Sequence, residues 1–467
     1  MPFLSFAELE KATCGRWLVA PGSMDSGVER LTDDSRTLVP GELFIAIKGE
    51  LTEGRMYLPS ALEKGAGCLL VQDDPPPSVL RAASASGCPC LKVEDSLAAY
   101  QQLALWHRAQ FPQARILAIT GSCGKTSTKE MCAAILEEHF PGGVLKTAGS
   151  TNNHFGVPRN LYRIDGATRV AVIEMGTNHP GEIASLVRLA PPEVGVVCNI
   201  GEAHLEFFHD LVGVAREKSS IFKGILPGGT AVYPAAATGA EILRAAVPDG
   251  AHVLAFGNGS GADLEYEYLG EEDGLFRLRL KWRSSGEERL VRWRLGGAHS
   301  ASNGACAALA ATAFGCTPDE VVAGLQRCVL PGERMEVVER AGVHWVNDAF
   351  NANPTSMRAA IEWFGEVKPK GARAILALGD MLELGGDVVQ IHKAVLEFAR
   401  KRFPEACIVA VGSAMCSAAE ALVEDGRLIS CGDVEEARAR LMSIARDGDW
   451  ILLKSSHGIG LTKLAPR

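Results

Sequence analysis

Three stretches in the middle of the chain, ARILAITG, RVAVIEMG and EVGVVCNIG, are apolar throughout and end in glycine or beside a polar residue. Helical periodicity separates them. Fully apolar strands alternating with helices predict a parallel sheet covered on both faces. Between about 260 and 296 the pattern changes. LEYEYLG, LFRLRLKWR and RLVRWRL alternate apolar with polar positions, which predicts an antiparallel insertion. HSASNGACAALAATAF then returns to helix. From about 331 the strand–helix rhythm restarts with HWVND, RAILALGD, ACIVAVG and DWILLKSS, after a break at VLPGERMEV. Residues before about 100 mix short strand-like runs (ELFIAIKG, GCLLVQ) with turn clusters such as DDPPPS, and 91–114 reads as an amphipathic helix and a connector.

The chain has 467 residues, too many for one core, so two to four domains are expected. We expect an α/β protein with domains over residues 1–100, 101–330 and 331–467. The net charge of −9 argues against sequence-independent nucleic-acid binding, which needs Lys and Arg to neutralise phosphates. It leaves room for a bound nucleotide, because a few local donors suffice. The N-terminus lacks the apolar core of a signal peptide, and no uncharged run is long enough to span a membrane. The 13 cysteines are scattered and without zinc or redox spacing. Reduced, mostly buried thiols in a cytoplasmic protein are expected.

In open α/β sheets ligands sit at the carboxyl ends of strands. The first central strand runs into TGSCGKTS, Thr120 to Ser127. Its glycines, Gly121 and Gly124, let backbone N–H groups close on phosphate oxygens. Lys125 would reach the outer phosphates and Thr126 would coordinate Mg²⁺, with a helix from Ser127 aimed at the anion. The second strand ends in Glu174, a hard oxygen donor placed for a cation beside those phosphates. The third leads to His204, and a probable helix carries Lys218, which taken alone reads as a solvated lysine. Cys123 lies in the loop beside a helix N-terminus and Lys125, a setting expected to depress its thiol pKa. By themselves these residues suit a kinase, an NTPase or a ligase, and a non-catalytic nucleotide-binding module is a further reading.

An ordered motif set covers nearly the whole chain: DDSRTLVPGELFIAIKG, TGSCGKTSTKEM, AGSTNNHFGVP, AVIEMGTNHPGEI, AHLEFF, HSASN, PGERME, NDAFNANPTSM, LGDMLELG and LLKSS. It resembles the Mur ligase family of ATP-dependent amide-forming enzymes, whose phosphate loop has this short form. The resemblance implies three domains: a small α/β domain for a UDP-sugar, a central P-loop-type mostly parallel sheet, and a dinucleotide-fold-like C-terminal α/β domain closing over ATP. It implies that Gly121, Ser122, Cys123, Gly124, Lys125, Thr126 and Ser127 cradle ATP. Asn303, Arg334 and Asp348 would hold the nucleotide. Thr126, Glu174 and His204 would ligate Mg²⁺, and Lys218 would carry a carbamate for a second Mg²⁺. Ser35 and Arg36 would bind the UDP-sugar end, Thr151, Asn152 and Asn153 would line the substrate path, and Asn351, Asn353 and Ser356 would bind substrate in the third domain.

The implied partners are UDP-N-acetylmuramoyl-tripeptide and D-alanyl-D-alanine, joined through an acyl phosphate by a monomeric enzyme; a family member adding a single amino acid is the alternative. NANPTS stands in the third domain without the D-N-P-R motif of the diamino-acid-adding relatives. Three positions depart from the usual pattern: Ser150 for asparagine, Phe350 for tyrosine, and His457 for an arginine. A neutral histidine cannot hold a carboxylate with a bidentate fork.

Overall fold

The run RAILALG forms the strand Ala374–Gly379, and its successive side chains enter different cores. Ile375 and Ala377 pack with Val409, Val411, Ile451 and Leu453, whereas Leu376 and Leu378 pack with Ile408, Ala410 and Leu452. A strand covered on both faces has no solvent side, so no polar position interrupts it. Each such buried leucine or isoleucine contributes about 1.5–3 kcal/mol. The N-terminal strands follow the same rule, with Leu43 and Ile45 in one cluster and Phe44 in the other.

The computed structural model describes residues 1–49, 53–259, 261–332, 334–422 and 426–465. Glu333 of the PGERME motif lies outside them. The chain divides into two units, Met1–Arg115 with Thr151–Ala171, and Ile116–Ser150 with Val172–Arg467. The first unit carries a five-stranded sheet in the order Arg16–Val19, Cys90–Lys92, Cys68–Val71, Leu43–Ile45, Leu31–Thr32. Its first pair is antiparallel and the others are parallel. In the span 91–114 the helix is Ser96–Ala109, capped by Asp95 and preceded by the last residues of a strand.

The second unit contains two sheets. One has nine strands, in the order Glu288–Trp293, Leu275–Trp282, Leu264–Glu272, His252–Gly257, Thr230–Pro234, Val194–Val197, Arg115–Thr120, Val170–Glu174, Val144–Lys146. The stretch expected to be an antiparallel insertion is instead the continuation of this sheet. Leu264–Glu272 pairs in parallel with His252–Gly257, and only its two successors are antiparallel. Alternation marks a sheet with one wet face, and it does not reveal whether that sheet is separate. The other sheet has six strands, in the order Glu336–Arg340, Val343–Asn347, Trp450–Lys454, Ala374–Gly379, Cys407–Val411, Leu428–Cys431. All its pairs are parallel except the first.

Within the nine strands Arg115–Thr120 is the switch point. The chain runs from it to Val144–Lys146 and Val170–Glu174 on one side, then crosses to Val194–Val197 on the other. The crevice at a switch point, beyond the carboxyl ends of the strands, is where such sheets bind ligands. The helix after the first strand is Lys125–His139, beginning two residues before the expected Ser127. All thirteen cysteines are unbridged and nine are buried, as expected. Among the described residues no helix is long and apolar enough to cross a membrane.

Candidate active site

The phosphate loop sits at that switch point and is braced from the neighbouring strand end. Asn199, two residues past Val194–Val197, accepts from the backbone N–H of Ser122 and of Cys123 at 3.0 Å, and its amide donates to the Cys123 carbonyl at 2.8 Å. The Ser122 hydroxyl exchanges hydrogen bonds with the backbone of Gly201. These contacts use the loop's first amides. The N–H groups ahead of the first intrahelical bond, Thr128 N–H to the Gly124 carbonyl at 2.8 Å, are the donors that such a helix end offers an anion. Gly124 begins that helix at φ +75, and an added Cβ there would lie 2.5 Å from Asn303 Oδ1. Glycine is therefore required twice over, by the left-handed backbone and by the close approach of Asn303.

Charge and oxygen donors converge on this loop. The Thr126 hydroxyl donates to Glu174 Oε2 at 3.0 Å, and both side chains are buried. The Glu174 backbone N–H is held by Thr147 Oγ1 at 2.9 Å. Lys125 Nζ donates to the Gly121 carbonyl at 2.9 Å, curling back over the loop. Lys218, on the helix Leu211–Ser219, is only 1% exposed, which overturns the solvated-lysine reading. Burial, with the Lys125 charge nearby, holds its amine down at about 7. Cys123 corrects the sequence expectation: burial pushes its thiol up, outweighing the opposing pull of Lys125, Lys454 and Lys218. Apolar surroundings raise a thiol where a helix N-terminus would lower it, and at Cys123, which is only partly exposed, desolvation is the larger of the two.

His204 follows the third strand in a left-handed conformation, φ 54. Its Nδ1 meets Glu383 Oε2 at 2.5 Å, and Glu383 is also left-handed, φ 60. Strained residues of this kind persist where surrounding contacts over-determine them. The His204 contact holds the Glu383 carboxyl below its usual range. Asp348, just past Val343–Asn347, is paired with Lys454 Nζ at 2.7 Å, and Lys454 also donates to the Asn351 carbonyl at 2.8 Å. The Arg334 guanidinium lies 4.1 Å over the Phe350 ring, which in turn contacts His457. The two departures at 350 and 457 thus touch each other.

Lys125, Thr126, Glu174, Lys218 and Asn303 are therefore neighbours, and His204 and Asp348 are tied to C-terminal groups. Three residues of the third domain have local roles. Asn353 and Ser356 close a reciprocal capping box on the helix Pro354–Val367, and Asn351 Oδ1 accepts from the Ala352 N–H. The cap uses Asn353 Oδ1 and the Ser356 hydroxyl, and it leaves the Asn353 side-chain amide N–H groups outside it. The other expected residues belong to the first unit. Asn160 holds Thr151 through its carbonyl and hydroxyl, and Asn153 Oδ1 accepts from Phe155 and Gly156. Asn152 adjoins them in the same loop. Arg36 is largely exposed and doubly bonded to Asp34, while the Ser35 carbonyl accepts from Lys64. Sequence reasoning missed Asn199, Glu383 and Lys454. All three sit inside motifs already singled out, but nothing in a motif says which of its polar residues faces inward.

Comparison with known proteins now adds identity to geometry. The description "Mur ligase middle domain" matches residues 119–312, and "Mur ligase, glutamate ligase domain" matches residues 333–457. The chain is 36% identical over 378 residues to the UDP-N-acetylmuramoyl-tripeptide--D-alanyl-D-alanine ligase of Escherichia coli K12, covering 80% of each chain. It is 30% identical to the Bacillus subtilis protein of the same name, over 98% of this chain and 96% of that one. Among solved structures, MurF from Acinetobacter baumannii superposes with a TM-score of 0.88 at 28% identity, covering 99% of this chain and 98% of that one. MurF from Thermotoga maritima in complex with ADP gives 0.78 at 25% identity, covering 93% and 96%.

Proposed function

The chain belongs to the Mur ligase family, and we propose that it joins D-alanyl-D-alanine to UDP-N-acetylmuramoyl-tripeptide at the expense of ATP. The product is the pentapeptide precursor of peptidoglycan. The relatives that support this are matched over most of their length. The observation that carries the chemistry is the buried Thr126–Glu174 pair beside Lys125 at the strand switch point.

A peptide carboxylate is a poor acyl donor at neutral pH. Transfer of the γ-phosphoryl group to it makes an acyl phosphate and releases ADP. The dipeptide amine then attacks the carbonyl carbon, and phosphate leaves with the bonding electrons. Stabilising negative charge and fixing geometry are the protein's main tools in such transfers. Lys125 and the first-turn N–H groups of Lys125–His139 bind the phosphates. Asn303 and Arg334 contact the nucleotide, and Asp348, oriented by Lys454, holds the ribose.

The donor set fits a hard cation: Thr126 and Glu174 offer a buried hydroxyl and carboxylate, which suit Mg²⁺. Mg²⁺ held there supplies charge neutralisation for the transferring group. His204, held through Nδ1 by Glu383, would offer its other ring nitrogen as a further ligand. Lys218, whose amine burial holds down at about 7, would take up CO₂ as a carbamate with loss of one proton, and that group would offer oxygen donors to a second ion. Ser35 and Arg36 bind the UDP-sugar, Thr151, Asn152 and Asn153 line the path of its peptide, and Asn351 adjoins the dipeptide.

The working regions are 1–100 for the sugar nucleotide, 101–330 for ATP and 331–467 for closure over it. The enzyme acts as a monomer in the cytoplasm, a compartment consistent with its thirteen unbridged thiols. The test is phosphate release with UDP-N-acetylmuramoyl-tripeptide, comparing D-alanyl-D-alanine with single amino acids. Release should require both co-substrates and prefer the dipeptide. Turnover without an amine, or preference for one amino acid, would sink the assignment.

A further inference from the structure

At the far end of the phosphate-loop helix, one imidazole nitrogen of His139, the Cys316 Sγ and one Glu320 carboxylate oxygen lie within 4.8 Å of one another. The three come from separate places in the chain. His139 is the last residue of Lys125–His139, Cys316 follows the helix Ala298–Thr312, and Glu320 lies in the first turn of Pro318–Arg327. Fifteen helical residues at about 1.5 Å each separate this end from the active site by roughly 20 Å.

The cluster is held by its surroundings. Thr317 and Glu320 form a capping box, in which Glu320 Oε2 accepts from Thr317 N–H at 2.7 Å and Oγ1 at 3.0 Å. Both oxygens also face His139 Nδ1, Oε1 at 3.1 Å and Oε2 at 3.2 Å. The two helices meet closely at Gly324, where an added Cβ would lie 2.4 Å from Ile135 Cα. The His139 ring packs edge-on to Phe140, 4.5 Å between centroids.

We propose that His139, Cys316 and Glu320 bind one zinc-class divalent ion, with water in the fourth position. One sulfur, one nitrogen and one oxygen make a mixed set that suits Zn²⁺ or Co²⁺ in a tetrahedral site, whereas Mg²⁺ takes oxygen ligands alone. Zinc bond lengths place tetrahedral ligand atoms roughly 3.3–3.7 Å apart. The His139–Glu320 separation, 3.1 Å, has to open slightly to reach that, and the separations from Cys316, within 4.8 Å, have to close by roughly 1 Å. Binding replaces the thiol proton, which leaves to solvent, so affinity rises with pH. The ion would clamp the C-terminal end of the phosphate-loop helix to Pro318–Arg327, a second cation site unlike the one at Glu174.

The full-length protein, saturated with Mg²⁺ to fill the oxygen sites, is titrated with Co²⁺ and followed by absorption. One equivalent should develop a thiolate-to-cobalt charge-transfer band together with tetrahedral visible bands. Cys316→Ser should abolish the charge-transfer band. His139→Gln, at a partly exposed position, should weaken binding at least tenfold while circular dichroism stays unchanged. Zn²⁺ should raise the Tm of the parent protein and not that of His139→Gln. Absence of the charge-transfer band, its persistence in Cys316→Ser, or an equal Tm rise in His139→Gln would overturn the proposal.

Discussion

Thr126 and Glu174 lie 48 positions apart in sequence, yet the hydroxyl of one donates to the carboxylate of the other at 3.0 Å. The first lies in the opening turn of the phosphate-loop helix and the second ends the adjacent strand, so their meeting is a direct product of strand order. Glu174→Gln keeps the shape and a hydrogen-bond acceptor but removes the charge. Expected is a fall in kcat of about 10²–10³-fold, the scale of about 3–4 kcal/mol of lost charge stabilisation. Phosphate release measures it. An unchanged thermal midpoint separates this from unfolding, and an unchanged kcat would remove Glu174 from the mechanism.

Gly124→Ala places a methyl group in a left-handed position and against Asn303. The backbone alone accounts for about 1–2 kcal/mol of destabilisation. Displacement of Asn303 should also weaken ATP binding by at least tenfold. Urea denaturation and calorimetric titration with ATP read the two effects separately.

Lys218 links pH to stability. Its amine falls from 10.5 to about 7 on folding, so between those values the native state binds fewer protons than the unfolded chain. Stability then rises with pH across that window and is level below it. In CO₂-depleted buffer the parent should show this slope, and Lys218→Met should lack it. With dissolved CO₂ held fixed, a ¹³C carbamate signal should grow as pH passes through about 7. A flat stability difference between the two proteins would exclude a buried neutral amine.

Cys123 sits in the phosphate loop with its thiol pushed up by burial. Thiolate is the species that alkylates. Iodoacetamide at neutral pH should therefore label the exposed Cys14 well before Cys123, read by peptide mass spectrometry. Rapid labelling of Cys123 that ATP suppresses would reverse this conclusion.

Strand identity was legible wherever the apolar run was continuous, as in RAILALG, because burial on both faces leaves that mark on every position. The phosphate loop was legible because closely spaced glycines, a lysine and a threonine are required together by backbone and anion alike. Along the edge Leu264–Trp293 the antiparallel pairing was legible, but alternation reports a wet face and not which sheet the strands join. The capping role of Asn353 and Ser356 was not legible, because a polar pair three residues apart suits a cap and a ligand equally.

The sequence by itself determined the α/β rhythm, the phosphate-binding turn and the kinship of the chain, all of which rest on local or ordered patterns. Tertiary structure alone decided that Lys218 is buried and near neutral, that Asn199 braces the loop, that His204 meets Glu383, and that His139, Cys316 and Glu320 share a corner. Solvation and partner choice are properties of the packed molecule, and residues far apart in the chain acquire them only when the sheets and helices close around them.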